Sequence, residues 1–146
     1  MAEAQTTIQS IADKDPQDFV KRQPWAESLG MVMDEATPER VRAHLEWSPQ
    51  ICTSGGIMHG GAFMTFGDSV GAICAMLNLP EGAGTTTTSS STVFIRGLRE
   101  GETAYATAIP LQAGRTVIVV RTEITNQDGK LLSQVTQSQA VLQPRS

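Results

Sequence analysis

The sequence predicts a single α+β domain in which one long helix packs on a face of an antiparallel sheet. Three observations carry this. Phe63, Phe66, Val70, Ile73 and Leu77 recur at spacings of three and four, the spacing of one helix face. Four strand-like runs follow, with only short breaks between them. A shorter alternating stretch precedes the helix, so strands flank it on both sides in the chain. At 146 residues the chain is long enough for one substantial core and too short for two, which makes 1–146 one domain.

Taken in order, residues 1–24 mix polar positions with Ile8, Ile11, Phe19 and Val20 and end at Pro24. They predict a frayed start and a short amphipathic helix, an extension to a core of about residues 28–142. From Ser28 to Trp47 the apolar residues alternate: Leu29, Met31 and Met33, then Val41, Ala43, Leu45 and Trp47, about the turn Ala36-Thr37-Pro38-Glu39. That is the pattern of a β-hairpin. SPQICTSGGIMHGG (48–61) is rich in glycine, so it reads as a loop whose N–H groups can be approached without side-chain obstruction. The helix after it is apolar or small nearly all round, which predicts burial on every side. Its Gly67 and Gly71 each cost about 1 kcal/mol in helix propensity and would let a sheet approach closely. Pro80-Glu81-Gly82 ends it. The runs 85–97, 102–113, 115–126 and 130–142 are divided by Arg99-Glu100-Gly101, Gly114 and Asn126-Gln127-Asp128-Gly129. Breaks this short predict successive strands lying side by side and antiparallel. In the third run Thr116, Ile118, Val120, Thr122 and Ile124 alternate with Val117, Val119, Arg121 and Glu123.

Composition narrows the function. With 40% hydrophobic and 18% charged residues the chain is too apolar for a disordered one. A net charge of −4 and a pI near 5.1 offer no basic surface for nucleic acid or an anionic membrane. One polyanionic small molecule remains compatible, because screening keeps charge effects local. The N-terminus has no basic region followed by an apolar core, and no run reads as the ~18 apolar residues of a membrane span. A cytoplasmic location is expected, with Cys52 and Cys74 as free thiols. His44 and His59 are the only histidines and no cysteine pair has ligand spacing, so no metal site is predicted. G-x-S-x-G, P-loop and GxGxxG motifs are absent.

Asp68 is the anomaly: a carboxylate in the middle of an apolar helix. Burying it without partners costs several kcal/mol, so it has either a partner or a task. Gly60 and Gly61 begin the same helix, where free N–H groups at the positive end of the dipole suit a developing oxyanion. Eight residues of helix separate Gly60 from Asp68, about 12 Å at ~1.5 Å per residue, too far for both to reach one reacting carbon within one chain. Two subunits with antiparallel helices would bring Asp68 of one to the Gly60 end of the other. His59 directly precedes the helix start, a place where histidine more often packs or hydrogen-bonds than reacts.

The stretch GGIMHGGAFMTFGDSVGAICA, with FIRG, QAGRT and QDGKLLSQVTQ after it, resembles hotdog-fold acyl-CoA thioesterases of the phenylacetate-pathway and 4-hydroxybenzoyl-CoA types. The resemblance covers about residues 28–142, and HGG with an acid nine residues after the histidine is its most specific part. It implies a five- or six-stranded antiparallel sheet wrapped round the central helix, assembled as a homodimer or as a homotetramer made of two dimers. It also implies hydrolysis of an acyl-CoA, aromatic acyl groups included, to free acid and CoA, with CoA as part of the substrate and no separate cofactor. In such enzymes the acid matching Asp68 activates water or attacks the thioester, and the N–H matching Gly60 polarises the carbonyl across the dimer interface, with His59, Gly61 and Thr53 beside them. Relatives carry Asn or Gln where Thr53 stands, so a shorter hydroxyl departs from the pattern. A Ser or Thr in the first strand after the helix corresponds to Thr86 or Thr87. Arg96 in FIRG and Arg115-Thr116 in AGRT fall where similar enzymes contact the nucleotide phosphates, and Arg145 could join them. Two other readings use the same fold. Thr53 motivates a protein that binds acyl-CoA without hydrolysing it, and a hydratase or dehydratase would want a second catalytic histidine near the acid.

Overall fold

The computed structural model describes residues 15–144. Ile8, Ile11 and Arg145 lie outside them. The short helices α1 (Gln17–Lys21) and α2 (Pro24–Ser28) lead into the hairpin β1 (Val32–Ala36) and β2 (Val41–Glu46). A 3-10 turn at Pro49–Ile51 precedes the central helix α3 (Gly60–Leu77). Then follow β3 (Gly84–Phe94), β4 (Thr103–Ala113), β5 (Val117–Thr125) and β6 (Leu131–Leu142). The six strands form one antiparallel sheet in the order β1-β2-β4-β5-β6-β3, with α3 packed on its concave side: a hotdog fold.

Pro24 does not end the first helix as expected but starts α2, where its missing N–H would have had no partner anyway. Gln17 ties α1 to the sheet: its Nε2 donates to the Met31 carbonyl at 3.1 Å and its Oε1 accepts the Met33 N–H at 2.8 Å. The predicted alternation in β5 holds, with Ile118, Val120, Thr122 and Ile124 fully buried. In β4 the helix-facing positions are Ala104, Ala106 and Ala108, whose small side chains leave room for Phe63, Phe66, Val70 and Ile73 of α3. Pro110 is tolerated in β4 because β2 ends opposite Ala108 and the strand bulges between Pro110 and Gln112.

One expectation fails. β3 and β4 follow each other in the chain yet are not neighbours: β3 pairs with β6 at the sheet edge, and β4 lies between β2 and β5. The chain from 95 to 102 is a crossing, not a turn. The N–H groups of Ile95 and Arg96 still bond the Leu132 carbonyl, Leu98 is fully buried, and Glu102 arrives beside β2 to accept the Trp47 N–H. Burying Leu98 anchors a connection that its polar residues alone would predict as a tight bend.

The helix is also less enclosed than its composition implies. Gly67 and Gly71 do face the sheet as expected: a Cβ on Gly67 would sit 2.5 Å from Val135 Cγ2, and one on Gly71 would overlap the Gln137 amide. The stripe beside them, Met64, Asp68, Ala72 and Met76, is left uncovered or half-covered. Contrary to the reading that no stretch suits a membrane, α3 is long and apolar enough to cross one by length and composition, with a mean hydropathy of 1.3. Here it is the core helix of the sheet, with 56% of its residues buried.

Candidate active site

The start of α3 is built by His59. Its backbone is extended, and its Nδ1 accepts the Gly61 N–H at 2.8 Å, capping the helix. An N–H donor requires Nδ1 to be unprotonated, so the neutral ring carries its proton on Nε2. Gly61 therefore spends its N–H inside the cap. The Gly60 N–H has no partner among the described residues, and it lies at the positive end of an 18-residue helix. Glycine keeps this position open: a Cβ would come within 3.2 Å of the Phe94 ring, which would have to shift by a few tenths of an ångström. Beside the cap opens a cavity of about 370 Å³ lined by Trp25, Ile51, Cys52, His59, Gly61 and Ala62 among others.

Thr53 belongs to the preceding turn. Its N–H donates to the Ile57 carbonyl, its carbonyl accepts the Gly56 N–H, and its hydroxyl oxygen accepts the Gly55 N–H at 3.2 Å. This local bonding is the ordinary behaviour of a short hydroxyl side chain in a turn.

Asp68 sits two turns further on, half-buried. Thr87 Oγ1 donates to its Oδ1 at 3.0 Å, and Gln137 Nε2 donates to the same Oδ1 at 2.9 Å. Oδ2 has no partner among the described residues. Behind these, Gln139 Nε2 donates to Thr87 Oγ1 at 2.7 Å. Residues paired across a ladder share a face. Thr87, opposite Gln139, thus lies on the helix side, whereas Thr86, opposite Ala140, lies on the other side. The structure brings Thr87 to Asp68 and leaves Thr86 away from it.

The arginines are not brought together within one chain. Arg96 Nη1 donates to the Leu131 carbonyl at 2.9 Å, at the start of β6. Arg115 and Thr116 are exposed at the opposite end, where the Thr116 carbonyl accepts the Val141 N–H. The ends, at Leu131 and Val141, are ten residues of β6 apart, roughly 33 Å at ~3.3 Å per residue. Neither thiol rivals Asp68. Burial pushes Cys74 up to about 12, which keeps it protonated at neutral pH, and Cys52 donates to the Ser48 carbonyl. No group of three or more His, Cys, Asp and Glu among the described residues could hold a metal.

Sequence reasoning missed Gln137 and Gln139. A signal was present: counting by two from the buried Val135 and Val141 puts both glutamines on the core face of β6.

A six-stranded antiparallel sheet around one long central helix defines a fold class, and the chain's relatives belong to it. The chain belongs to the Thioesterase superfamily, whose model matches residues 55–133. A Deinococcus radiodurans protein named "Putative esterase" is 32% identical over 110 residues, 75% of this chain and 73% of that one. The solved structure of Rv1847/MT1895 from Mycobacterium tuberculosis, also given an esterase name, is 27% identical with a TM-score of 0.80, covering 84% of this chain and 99% of that one. The smu.793 protein of Streptococcus mutans, solved bound to acetyl CoA, shares the fold at 22% identity and a TM-score of 0.72, covering 80% of this chain and 91% of that one.

Proposed function

We propose that the protein is an acyl-CoA thioesterase of the phenylacetate-pathway or 4-hydroxybenzoyl-CoA type, acting in the cytoplasm as a homodimer or as a homotetramer of two such dimers. The observation that carries this reading is Asp68 with both its donors on Oδ1, which leaves Oδ2 free to work. Oδ2 takes a proton from the water that attacks the thioester carbon, or attacks that carbon itself. In the first case the C–S bond breaks as the adduct collapses, and the proton held on Oδ2 passes to the departing sulfur, leaving free acid and CoA thiol. In the second the C–S bond breaks to leave an acyl-Asp68 anhydride and CoA thiolate; water then hydrolyses the anhydride to the free acid, and its proton goes to the thiolate. The negative charge that develops on the carbonyl oxygen is met by the unpartnered Gly60 N–H, at the positive end of the α3 dipole. Aromatic acyl groups are among the substrates, with the apolar cavity beside His59 supporting an acyl side chain of moderate size.

The partner subunit supplies the missing proximity. β3 is an edge strand of 11 residues, and Val93, Phe94 and Ile95 at its end are about half exposed, with the Phe94 ring edge-on to Phe63 of α3. Two copies pairing along β3 cover this patch and satisfy its unpaired edge. Antiparallel pairing also brings the Arg96 end of one chain to the Arg115-Thr116 end of the other, a composite contact for the nucleotide phosphates of CoA. Relatives solved with CoA-type ligands, such as the Streptococcus mutans protein, support a substrate of this kind.

The test is thiol release from short, medium, long and aromatic acyl-CoAs by the wild type and by Asp68→Asn. Turnover should fall by roughly 10²–10⁴-fold in the variant, with the circular dichroism unchanged. Retained turnover would remove Asp68 from the mechanism. Bound acyl-CoA that is never hydrolysed by the wild type would leave a binding protein instead.

A further inference from the structure

We infer that Gln137 and Gln139 are positioning residues for the reaction: Gln137 holds Asp68 directly, and Gln139 holds it through the hydroxyl of Thr87, so that Oδ2 alone faces the substrate. This rests on the thioesterase reading above. Both glutamines lie on the core face of β6, at 1% and 0% exposure. A buried amide is destabilising unless its hydrogen bonds are made, and an apolar residue of similar volume would pack there at no such cost.

The Gln137 amide can point only one way. A carboxylate accepts and does not donate, so Nε2 must face Asp68, where it bonds Oδ1 at 2.9 Å and the main-chain carbonyl at 3.4 Å. Oε1 is then driven toward Gly71 and is buried with no partner. The chain thus accepts an orphaned acceptor and a glycine inside a helix at one point of contact, two local losses of about 1 kcal/mol or more each. What the pair gains is a donor on Asp68.

Gln139 sets the direction of a hydroxyl. Thr85 Oγ1 donates to the Ala140 carbonyl at 2.9 Å with Gln139 Oε1 also in reach at 3.2 Å, and Gln139 Nε2 donates to Thr87 Oγ1 at 2.7 Å. With a lone pair of Oγ1 occupied, the single hydroxyl proton of Thr87 is directed at Asp68 Oδ1, 3.0 Å away. Two donors converge on one carboxylate oxygen and fix the rotation of the group. Gln137 and Gln139 both lie beyond residues 55–133, the part the family model matches.

The test measures thiol release, with kcat and KM separated, for the wild type, Asp68→Asn, Gln137→Met, Thr87→Val, Gln139→Met and the Thr87→Val/Gln139→Met double variant. Gln137→Met should lower kcat by roughly 10-fold or more while KM stays within about twofold and the melting temperature does not fall. A merely structural glutamine would instead lower the melting temperature and spare kcat in the folded fraction. Gln139→Met should lower kcat several-fold in the wild type and add nothing in the Thr87→Val background, because it acts through that hydroxyl. Wild-type kcat in Gln137→Met beside an inactive Asp68→Asn overturns this inference and leaves the thioesterase reading intact; so does a Gln139→Met effect undiminished on Thr87→Val. An active Asp68→Asn overturns both. If Gln137→Met does not fold, the Gln139 cycle decides, since it leaves the Gln137 contact in place.

Discussion

At the scale of single residues, His59 caps the start of one helix and Asp68, in its middle, is the candidate for its chemistry. His59 Nδ1 takes the Gly61 N–H, and the adjacent Gly60 N–H has no partner among the described residues. His59→Ala should therefore lose about 1 kcal/mol of stability as an N-cap, read by chemical denaturation; an unchanged midpoint would mean the cap contributes nothing. Asp68 was legible because a charge in an apolar helix needs a partner, a task or a solvent-facing position, and it is half-exposed with two donors. Its partners were not legible. A glutamine in a strand ordinarily reads as a solvent-facing residue, and only the parity counted from Val135 and Val141 turns Gln137 and Gln139 inward. Thr87 and Thr86 were equally good candidates in the sequence, because the choice between them is a choice of strand face.

At the scale of elements, α3 approaches β6 too closely for a Cβ at Gly67 or Gly71. Gly67 meets Val135 and Gly71 meets the Gln137 amide, so both glycines serve the approach that their helical spacing predicted. Replacing Gly71 by Ala gains about 1 kcal/mol of helix propensity but forces a methyl into the amide, an overpacking that costs typically 1–3 kcal/mol. The amide cannot yield without releasing Asp68, so the second effect wins. Gly71→Ala should unfold at lower urea concentration and turn over more slowly; a stabilised, fully active variant would contradict the packing described. The β3 to β4 connection went the other way. Its Arg-Glu-Gly separator resembles a turn, and only Leu98, buried as the chain crosses the sheet, marks it as a crossing.

At the scale of the whole molecule, the unpaired edge of β3 and the exposed Val93, Phe94 and Ile95 argue for a second copy of the chain. Val93→Lys places a charge in that patch without touching Asp68 or Gly60. Sedimentation should show a monomer, and thiol release should be lost with it. A Val93→Lys monomer as active as the wild type would contradict a site shared between subunits.

The sequence by itself determined the strands and the long helix, whose burial it overstated as complete, and it singled out Asp68 and the glycines at His59 as the candidate site. Those follow from local spacing and from the cost of burying a lone charge, which one chain segment reveals alone. Only the tertiary structure decided that β3 lies at the edge beside β6, that Thr87 and not Thr86 meets Asp68, and that two glutamines lie beneath the acid. Each depends on register between strands about 50 residues apart in sequence, set by packing against α3 and not by any local propensity.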